Sequence, residues 1–450
     1  MKLVILGGGG FRVPLIHRAL LAERGEPRVN DLVLYDVDLR RLTAIRHVLD
    51  QQAALEPGEH APVSVTVTTE LKEALVGADF VFSAIRVGGL EGRVIDERVA
   101  LDQGVLGQET VGAGGISYGL RTVPVAIEVA RRIADLAPDA WTINFTNPAG
   151  LVTEAMAAYL GDRVIGICDS PVGLTRRVAR LLGIDPATAR FDYAGLNHLG
   201  WLRGVYVEGR DHLPRLLDNP EALGSFEEGK LFGPDWLKTL GAIPNEYLYY
   251  YYYANEAVEA ARTATQTRGA FLLRQQHDFY AETERDAGSA LDAWRRTRAE
   301  REATYMADTR DIAGAGDRDS DDMESGGYEQ VALSIMRAIA RDERTVLILN
   351  VRNRSALSIV DADAVVEVPC VVDANGPHQV VINQLPSHAA GLVASVKAVE
   401  RATIEAAVRG SRRAAHKALA LHPLVGSVTV AQRMLDSYVE HFPQLSYLRG

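Results

Sequence analysis

Cysteine is nearly absent: the 450-residue chain carries two, Cys168 and Cys370. Two thiols in a chain this long cannot build a disulfide framework, which points to a reducing, cytoplasmic setting. Long apolar runs are missing as well. The first one ends after residues 3–6, too short for the apolar core of a secretory leader. No stretch approaches the roughly 20 residues of a membrane span. Positive charge is in deficit, with 48 Lys and Arg against 59 Asp and Glu and a net charge of −11. A nucleic-acid binder would need a basic face, so that class is set aside. An anionic small substrate stays open, because a pocket can be locally basic inside an acidic protein.

What is present reads as an enzyme of the α/β class. Apolar residues make up 47% and charged residues 24%, ordinary for a globular protein. The length suggests two closely packed domains. Strand-like runs at 3–6, 31–35, 64–69, 79–85, 141–145 and 163–168 alternate with helical stretches, among them 14–24 and 118–136. That alternation predicts a Rossmann-like, doubly wound parallel sheet. The rhythm changes near residue 190. A hairpin is expected from 191–195 and 202–207, then one long helical region over 254–306, an acidic surface loop over 308–322, strands at 345–351 and 364–372, and closing helices over 390–421 and 428–441. The expected division is residues 1–190 as a nucleotide domain and 191–450 as an α+β domain. The run Tyr249 to Tyr253 and the closing helices suggest a homodimer or homotetramer.

Gly7, Gly8, Gly9 and Gly10 follow the first strand and precede a helix. In that setting backbone N–H groups can cradle a pyrophosphate, and glycine keeps a Cβ out of its way. The match to G-x-G-x-x-G is partial: Gly7 and Gly9 fit, while Arg12 stands where the third glycine belongs. Asp36 ends the second strand, where an acid binds a ribose hydroxyl and favours NAD over NADP. A plain turn in a flavodoxin-like sheet is the other reading of the same residues.

Three polar segments sit at expected strand ends or turns: NFTNPAG (144–150), GICDSP (166–171) and GLNHLGW (195–201). Cys168 and His198 could share a transition metal, with substrate oxygens completing its shell. Each also fits a bland role, Cys168 as a small buried apolar residue. Asn147 is either a ligand for a polyol or a cap for a helix starting at Pro148. RVGGLEGR places Arg86 and Arg93 around a glycine turn, where guanidinium suits a phosphate or is simply solvated. GQETVGAGG (107–115) reads as a further glycine-rich loop.

The ordered set of these motifs, together with PNEYL, QTRGA, SGGYEQVALSIMRAI and VEVPCVV, resembles glycoside hydrolase family four over nearly the whole chain. Within that family of NAD- and manganese-dependent glycosidases, the text is most similar to the 6-phospho-β-glucosidases. The resemblance implies a lactate/malate dehydrogenase-like architecture with NAD and Mn²⁺, or another divalent metal, as cofactors. It implies Cys168 and His198 as metal ligands, Tyr247 as catalytic base, and Gly7, Gly9, Gly10, Phe11 and Asp36 as cofactor contacts. Asn147 would bind the sugar, Arg93 and Arg268 would lie near a 6-phosphate, and Asp169 would bind substrate or act as an acid. Gly10 and Val13 replace a serine and a threonine usual in the family, and Asp169 stands where many β-specific members carry Asn. The implied reaction oxidises C3 of a 6-phosphoglucoside, removes the C2 proton, eliminates the aglycone, adds water and returns the hydride, unlike the usual two-carboxylate hydrolysis. The substrate would be a phosphorylated disaccharide or aryl glucoside. A 6-phospho-α-glucosidase and a simple hydroxy-acid or polyol dehydrogenase are the competing readings.

Overall fold

A computed structural model describes residues 1–55, 63–304, 310 and 327–449. Six parallel strands lie in the order β3-β2-β1-β4-β5-β6: β1 (Lys2–Leu6), β2 (Asp31–Tyr35), β3 (Ser64–Thr68), β4 (Phe80–Ser83), β5 (Trp141–Asn144) and β6 (Val164–Gly166). This is the doubly wound dinucleotide order, with its crevice at the carboxyl strand ends. Val4, Ile5, Leu34, Val81 and Ile165 are fully buried, as expected for strands covered on both faces.

The later strands do not make a separate sheet. They are β7 (Arg190–Leu196), β8 (Leu199–Val207), β9 (Arg210–Asp211), β10 (Ile243–Pro244), β11 (Thr345–Arg352), β12 (Val365–Asp373) and β13 (Gly376–Gln379). β11 runs antiparallel to β6, and the main path continues through β12, β7 and β8 to β10, giving one sheet of 13 strands among the described residues. The β6–β11 join pairs Asn350 with Gly166, and the β12–β7 join pairs Glu367 with Gly195.

Several expected elements are cut differently. Over its described residues, 254–304, the expected long helical region is three helices, Ala254–Thr263, Arg268–Arg285 and Ala290–Ala303. Thr267 caps the second, accepting from the Ala270 N–H, and Asp286 turns the chain by accepting from the Gly288 N–H. The closing region 390–421 breaks at Gly410, whose φ of 66° ends Ser387–Arg409 before Arg412–Leu421 begins. GQETVGAGG is only partly a loop, since the helix Gly112–Leu136 starts inside it. Its glycines are there for packing: a Cβ on Gly114 would meet the Gln108 carbonyl oxygen at 2.1 Å. The acidic stretch 308–322 falls, Arg310 apart, outside the described residues.

Glu367 ties the spliced strands together. It is fully buried and accepts from the Tyr193 hydroxyl at 2.9 Å, the Asn350 amide at 2.9 Å and the Asn197 amide at 3.3 Å. Burial raises its carboxyl to about 7, with the three donors pulling against that. Glu367→Ala would leave those donors without an acceptor and should cost at least about 3 kcal/mol. Glu367→Gln, which keeps one carbonyl oxygen, should cost less. Thermal unfolding of both variants measures this, and a midpoint for the Ala variant within a degree of wild type would contradict it.

Candidate active site

The carboxyl ends of β1, β4, β5 and β6 open on a cavity of about 1260 Å³. That exceeds the roughly 300–1,000 Å³ of a pocket for one drug-sized ligand. Its wall includes Gly7, Gly10, Phe11, Asp36, Arg93, Asn147, Cys168, Asp169, His198, Tyr247 and Arg268. The structure thus gathers every expected site residue except Gly9, which lies behind the wall.

The glycine turn is built differently from the sequence expectation. Its own N–H groups are spent internally: Gly7 and Gly8 donate to the Tyr35 carbonyl, Gly9 to Asp36 Oδ2 and Gly10 to the Gly7 carbonyl. The amides available to an anion therefore begin at Phe11, ahead of the helix Val13–Ala22. The need for glycine is a close approach of protein to protein. A Cβ on Gly7, whose φ is 86°, would stand 2.6 Å from the Ala84 carbonyl oxygen, and one on Gly9 would stand 2.8 Å from Arg41 Cβ.

Asn147 follows β5. The Asn144 side chain shapes the intervening turn, accepting from the Thr146 N–H at 3.1 Å and donating to the Thr146 carbonyl at 3.2 Å. Asn147 Oδ1 is buried with no hydrogen-bond partner among the described residues. An orphaned acceptor on a cavity wall suits a ligand hydroxyl.

Cys168 lies just past β6, and His198 occupies the tight β7–β8 turn with a φ of 61°, left-handed backbone that is uncommon outside glycine. Both are buried. Burial moves the His198 imidazole down to about 4, against the pull of Asp169 and Glu109, so at neutral pH its ring is uncharged and has a lone pair to offer. Burial, with Glu367 and Asp169 nearby, raises the Cys168 thiol, so a cation is needed to hold it as thiolate. No group of three or more His, Cys, Asp or Glu side chains that could hold a metal ion occurs among the described residues. The donor set fits a metal that takes two protein ligands and the rest from a substrate. The Tyr247 ring stacks on His198 with centroids 3.7 Å apart and planes 10° apart. Asp169 has its Oδ2 3.9 Å from Arg12 Nη1 and is partly exposed.

Eight arginines line this cavity, among them Arg12, Arg93, Arg268 and Arg301, whose charges bear on one another. Burial lowers the Arg301 pKa to about 9, and repulsion from Arg12, Arg268 and Arg93 adds to it. Arg93 donates to Glu97 and Glu109, each at 2.7 Å, and Arg268 donates to Thr304 Oγ1 at 2.7 Å and the Arg301 carbonyl at 3.0 Å. Arg86 pairs with Glu109 at 2.7 Å, so neither arginine of RVGGLEGR is a solvated surface charge. Sequence reading missed Arg301 and gave Arg12 no role beyond a broken glycine pattern. Only the fold shows these cations concentrated in one place.

Glu109 is the counterweight. Burial pushes its carboxyl up, but Arg86 and Arg93 outweigh that and hold it at about 2. A depressed carboxylate adds stability above its unfolded value near 4.5 and loses it as pH falls through its folded value. Glu109→Gln should therefore cost on the order of 3 kcal/mol at pH 7. Unfolding midpoints should show the gap between variant and wild type closing below pH 4.5, and a pH-independent gap would contradict this assignment.

Comparison with known proteins agrees with the geometry. A family model described as family 4 glycosyl hydrolase matches residues 2–184, and one described as the family 4 glycosyl hydrolase C-terminal domain matches residues 193–425. A Bacillus subtilis protein named "Probable 6-phospho-beta-glucosidase" is 32% identical over 449 residues, covering 98% of this chain and 96% of its own. The 6-phospho-alpha-glucosidase of Leptotrichia buccalis is 31% identical over 459 residues, covering 98% and 97%. The structure of the Thermotoga maritima 6-phospho-beta glucosidase with manganese, NAD+ and glucose-6-phosphate superposes with a TM-score of 0.80 at 26% identity, covering 98% of each chain. A lactate dehydrogenase from a deep-sea metagenome, 15% identical over 90% of this chain and 98% of its own, shares the fold with a TM-score of 0.53. Glycine turn, Cys–His pair and arginine cluster thus lie in one cavity of a chain that belongs to the family 4 glycosyl hydrolases.

Proposed function

We propose that this protein hydrolyses 6-phosphoglucosides, with preference for the β anomer, using NAD and a divalent metal such as manganese. The observation that carries the reading is the cluster of Arg12, Arg93, Arg268 and Arg301 in the same cavity as Cys168, His198 and the glycine turn. A wall that brings these guanidinium groups together suits an anion, and a phosphate dianion on the sugar supplies one. The relatives named for phosphoglucosidases support the substrate class. Residues 1–190 would hold the dinucleotide, and 191–450 would complete the sugar and metal sites and an oligomer interface, dimeric or tetrameric. Both cysteines are free and buried, which suits a reducing cytoplasm. No helix among the described residues is long and apolar enough to cross a membrane.

When bound, NAD supplies a hydride acceptor for C3 of the sugar and the divalent metal a Lewis acid for its oxygens. Cys168 and His198 would hold the metal, and Gly7, Gly10, Phe11 and Asp36 would line the dinucleotide site. Asn147 Oδ1 accepts a hydrogen bond from a sugar hydroxyl. Arg93, Arg268 and Arg301 fix the 6-phosphate and so orient the ring. Tyr247, stacked on His198, removes the C2 proton made acidic by the transient C3 ketone. Asp169 gives a proton to the departing aglycone oxygen, leaving a C1–C2 double bond conjugated with the C3 carbonyl. Water adds across C1 and C2, and bound NAD would supply the hydride that restores the C3 alcohol, which makes the overall reaction hydrolysis with no net redox change.

The β preference rests on RVGGLEGR and NFTNPAGLVTEA, while Asp169 and the α-specific relatives favour the α reading. Paired α- and β-nitrophenyl glucoside 6-phosphates, assayed with and without NAD and Mn²⁺ under reducing conditions, separate the two. Activity on the β substrate should depend on both additions and disappear with a chelator. Net accumulation of NADH would instead indicate a simple dehydrogenase. Tyr247→Phe should lower kcat by about 10²–10⁴-fold with NAD binding intact; wild-type turnover would remove Tyr247 from the chemistry. Arg93→Ala combined with Arg268→Ala should abolish the preference for phosphorylated over neutral glucosides, and a surviving preference would place the phosphate elsewhere.

A further inference from the structure

Three carbonyl oxygens of the glycine turn and its exit are each held by an aromatic side chain from far along the chain. The Tyr280 hydroxyl donates to the Gly9 carbonyl at 2.6 Å, the Trp294 indole N–H to the Phe11 carbonyl at 2.7 Å and the Tyr328 hydroxyl to the Arg12 carbonyl at 2.8 Å. Trp294 and Tyr328 are almost fully buried, and Phe11 packs edge-on against Phe279 at 5.3 Å and beside Trp294 at 6.0 Å. With its glycine N–H groups already committed to the turn and strand end, this segment has contacts on both its donor and acceptor sides.

The three donors stand on three different helices, and each helix also reaches the sugar side of the cavity. Arg268 begins the helix that carries Tyr280. Arg301 lies seven residues after Trp294 on Ala290–Ala303, two helical turns along the same face. Tyr328 opens Tyr328–Arg341 directly after Gly327, where a Cβ would stand 3.4 Å from Asp169 Oδ2. A rigid helix that touches an anion at one point and the dinucleotide turn at another transmits the position of one to the other.

We propose that Tyr280, Trp294 and Tyr328 are positioning residues that couple occupation of the phosphosugar site to affinity for the dinucleotide. Anchoring Arg268 and Arg301 on a sugar phosphate fixes the helices, and the aromatic donors then hold the turn in its binding conformation. Linkage requires the effect to run both ways: dinucleotide tightens phosphosugar binding by the same factor. The inference rests on the assignment of NAD and a 6-phosphosugar made above.

The test is equilibrium binding of NAD to the purified full-length protein, by calorimetry, with and without saturating glucose 6-phosphate. In the wild type, glucose 6-phosphate should tighten NAD binding by at least about 5-fold, the lower end of ordinary coupling. Tyr328→Phe and Tyr280→Phe each remove one hydroxyl. Each should weaken NAD binding by up to about 10-fold, the scale of one hydrogen bond, and move the coupling ratio towards one. Binding of glucose 6-phosphate alone should stay near wild type, and the free protein should lose no more stability than one hydrogen bond accounts for, about 1 kcal/mol. Wild-type NAD affinity and coupling in both variants would overturn the proposal. So would a uniform loss of both binary affinities together with a larger loss of stability, which marks a merely structural role. A wild type that binds NAD without any coupling would overturn it too, whereas a wild type that binds no NAD at all would reject the underlying assignment.

Discussion

Gly166 faces Asn350 at the point where the parallel half of the sheet meets the antiparallel half, and the active site depends on how closely they meet. A Cβ on Gly166 would stand 2.4 Å from Thr153 Oγ1 and 2.8 Å from Asn350 Cβ. With hydrogen there, β11 docks on β6, β12 on β11, and β7 on β12 at a second glycine, Gly195. The His198 turn is thereby carried back to the strand end that presents Cys168. Two residues 30 positions apart in a chain share a cavity with the help of two missing side chains: one at the β6–β11 join, and one at Gly195, where a Cβ would stand 2.1 Å from the Leu199 carbonyl oxygen as β8 folds back. Glu367 then closes the arrangement electrostatically, taking donors from β7, β11 and the His198 turn in one buried carboxylate.

The same economy governs charge. Eight arginines and eight carboxylates line the cavity, among them Arg12, Arg86, Arg93, Arg268 and Arg301 and Glu97, Glu109 and Asp169. The pairings are uneven: Glu109 serves both Arg86 and Arg93, Glu97 serves Arg93 and the Gly269 N–H, and Asp169 stands off from Arg12. Arg301 is left among like charges, which together with burial lowers its pKa. The wall is balanced in formal charge, in a protein whose net charge is −11. Local field, and not overall charge, decides what such a cavity attracts.

How much of this was legible beforehand follows from what each signal reports. Buried β-branched runs flanked by glycine and helix revealed the six parallel strands, whose ends moved by only a few residues. The turn at Asn197–His198 and the strand end at Cys168 were readable from the glycine and proline around them. The splice of β11 onto β6 was not, because pairing across nearly 200 residues leaves no local pattern. The breaks at Thr267, Asp286 and Gly410 were smoothed over by helix-forming neighbours. Arg301 looks in sequence like any charge on an exposed helical face, and Gly9 looks like a phosphate contact when its neighbour is Arg41. In both cases residue type was informative about chemistry and silent about which partner would be met.

The backbone at His198 has a consequence of its own. Its left-handed φ of 61° is one that glycine adopts freely, whereas a residue with a side chain is held there at a conformational cost on the order of 1–3 kcal/mol. Folding alone would be better served by a residue with no lone pair for a cation. On the metal role proposed for His198, drift towards sturdier sequences at this turn would run towards an intact but inert molecule, opposed by selection for turnover.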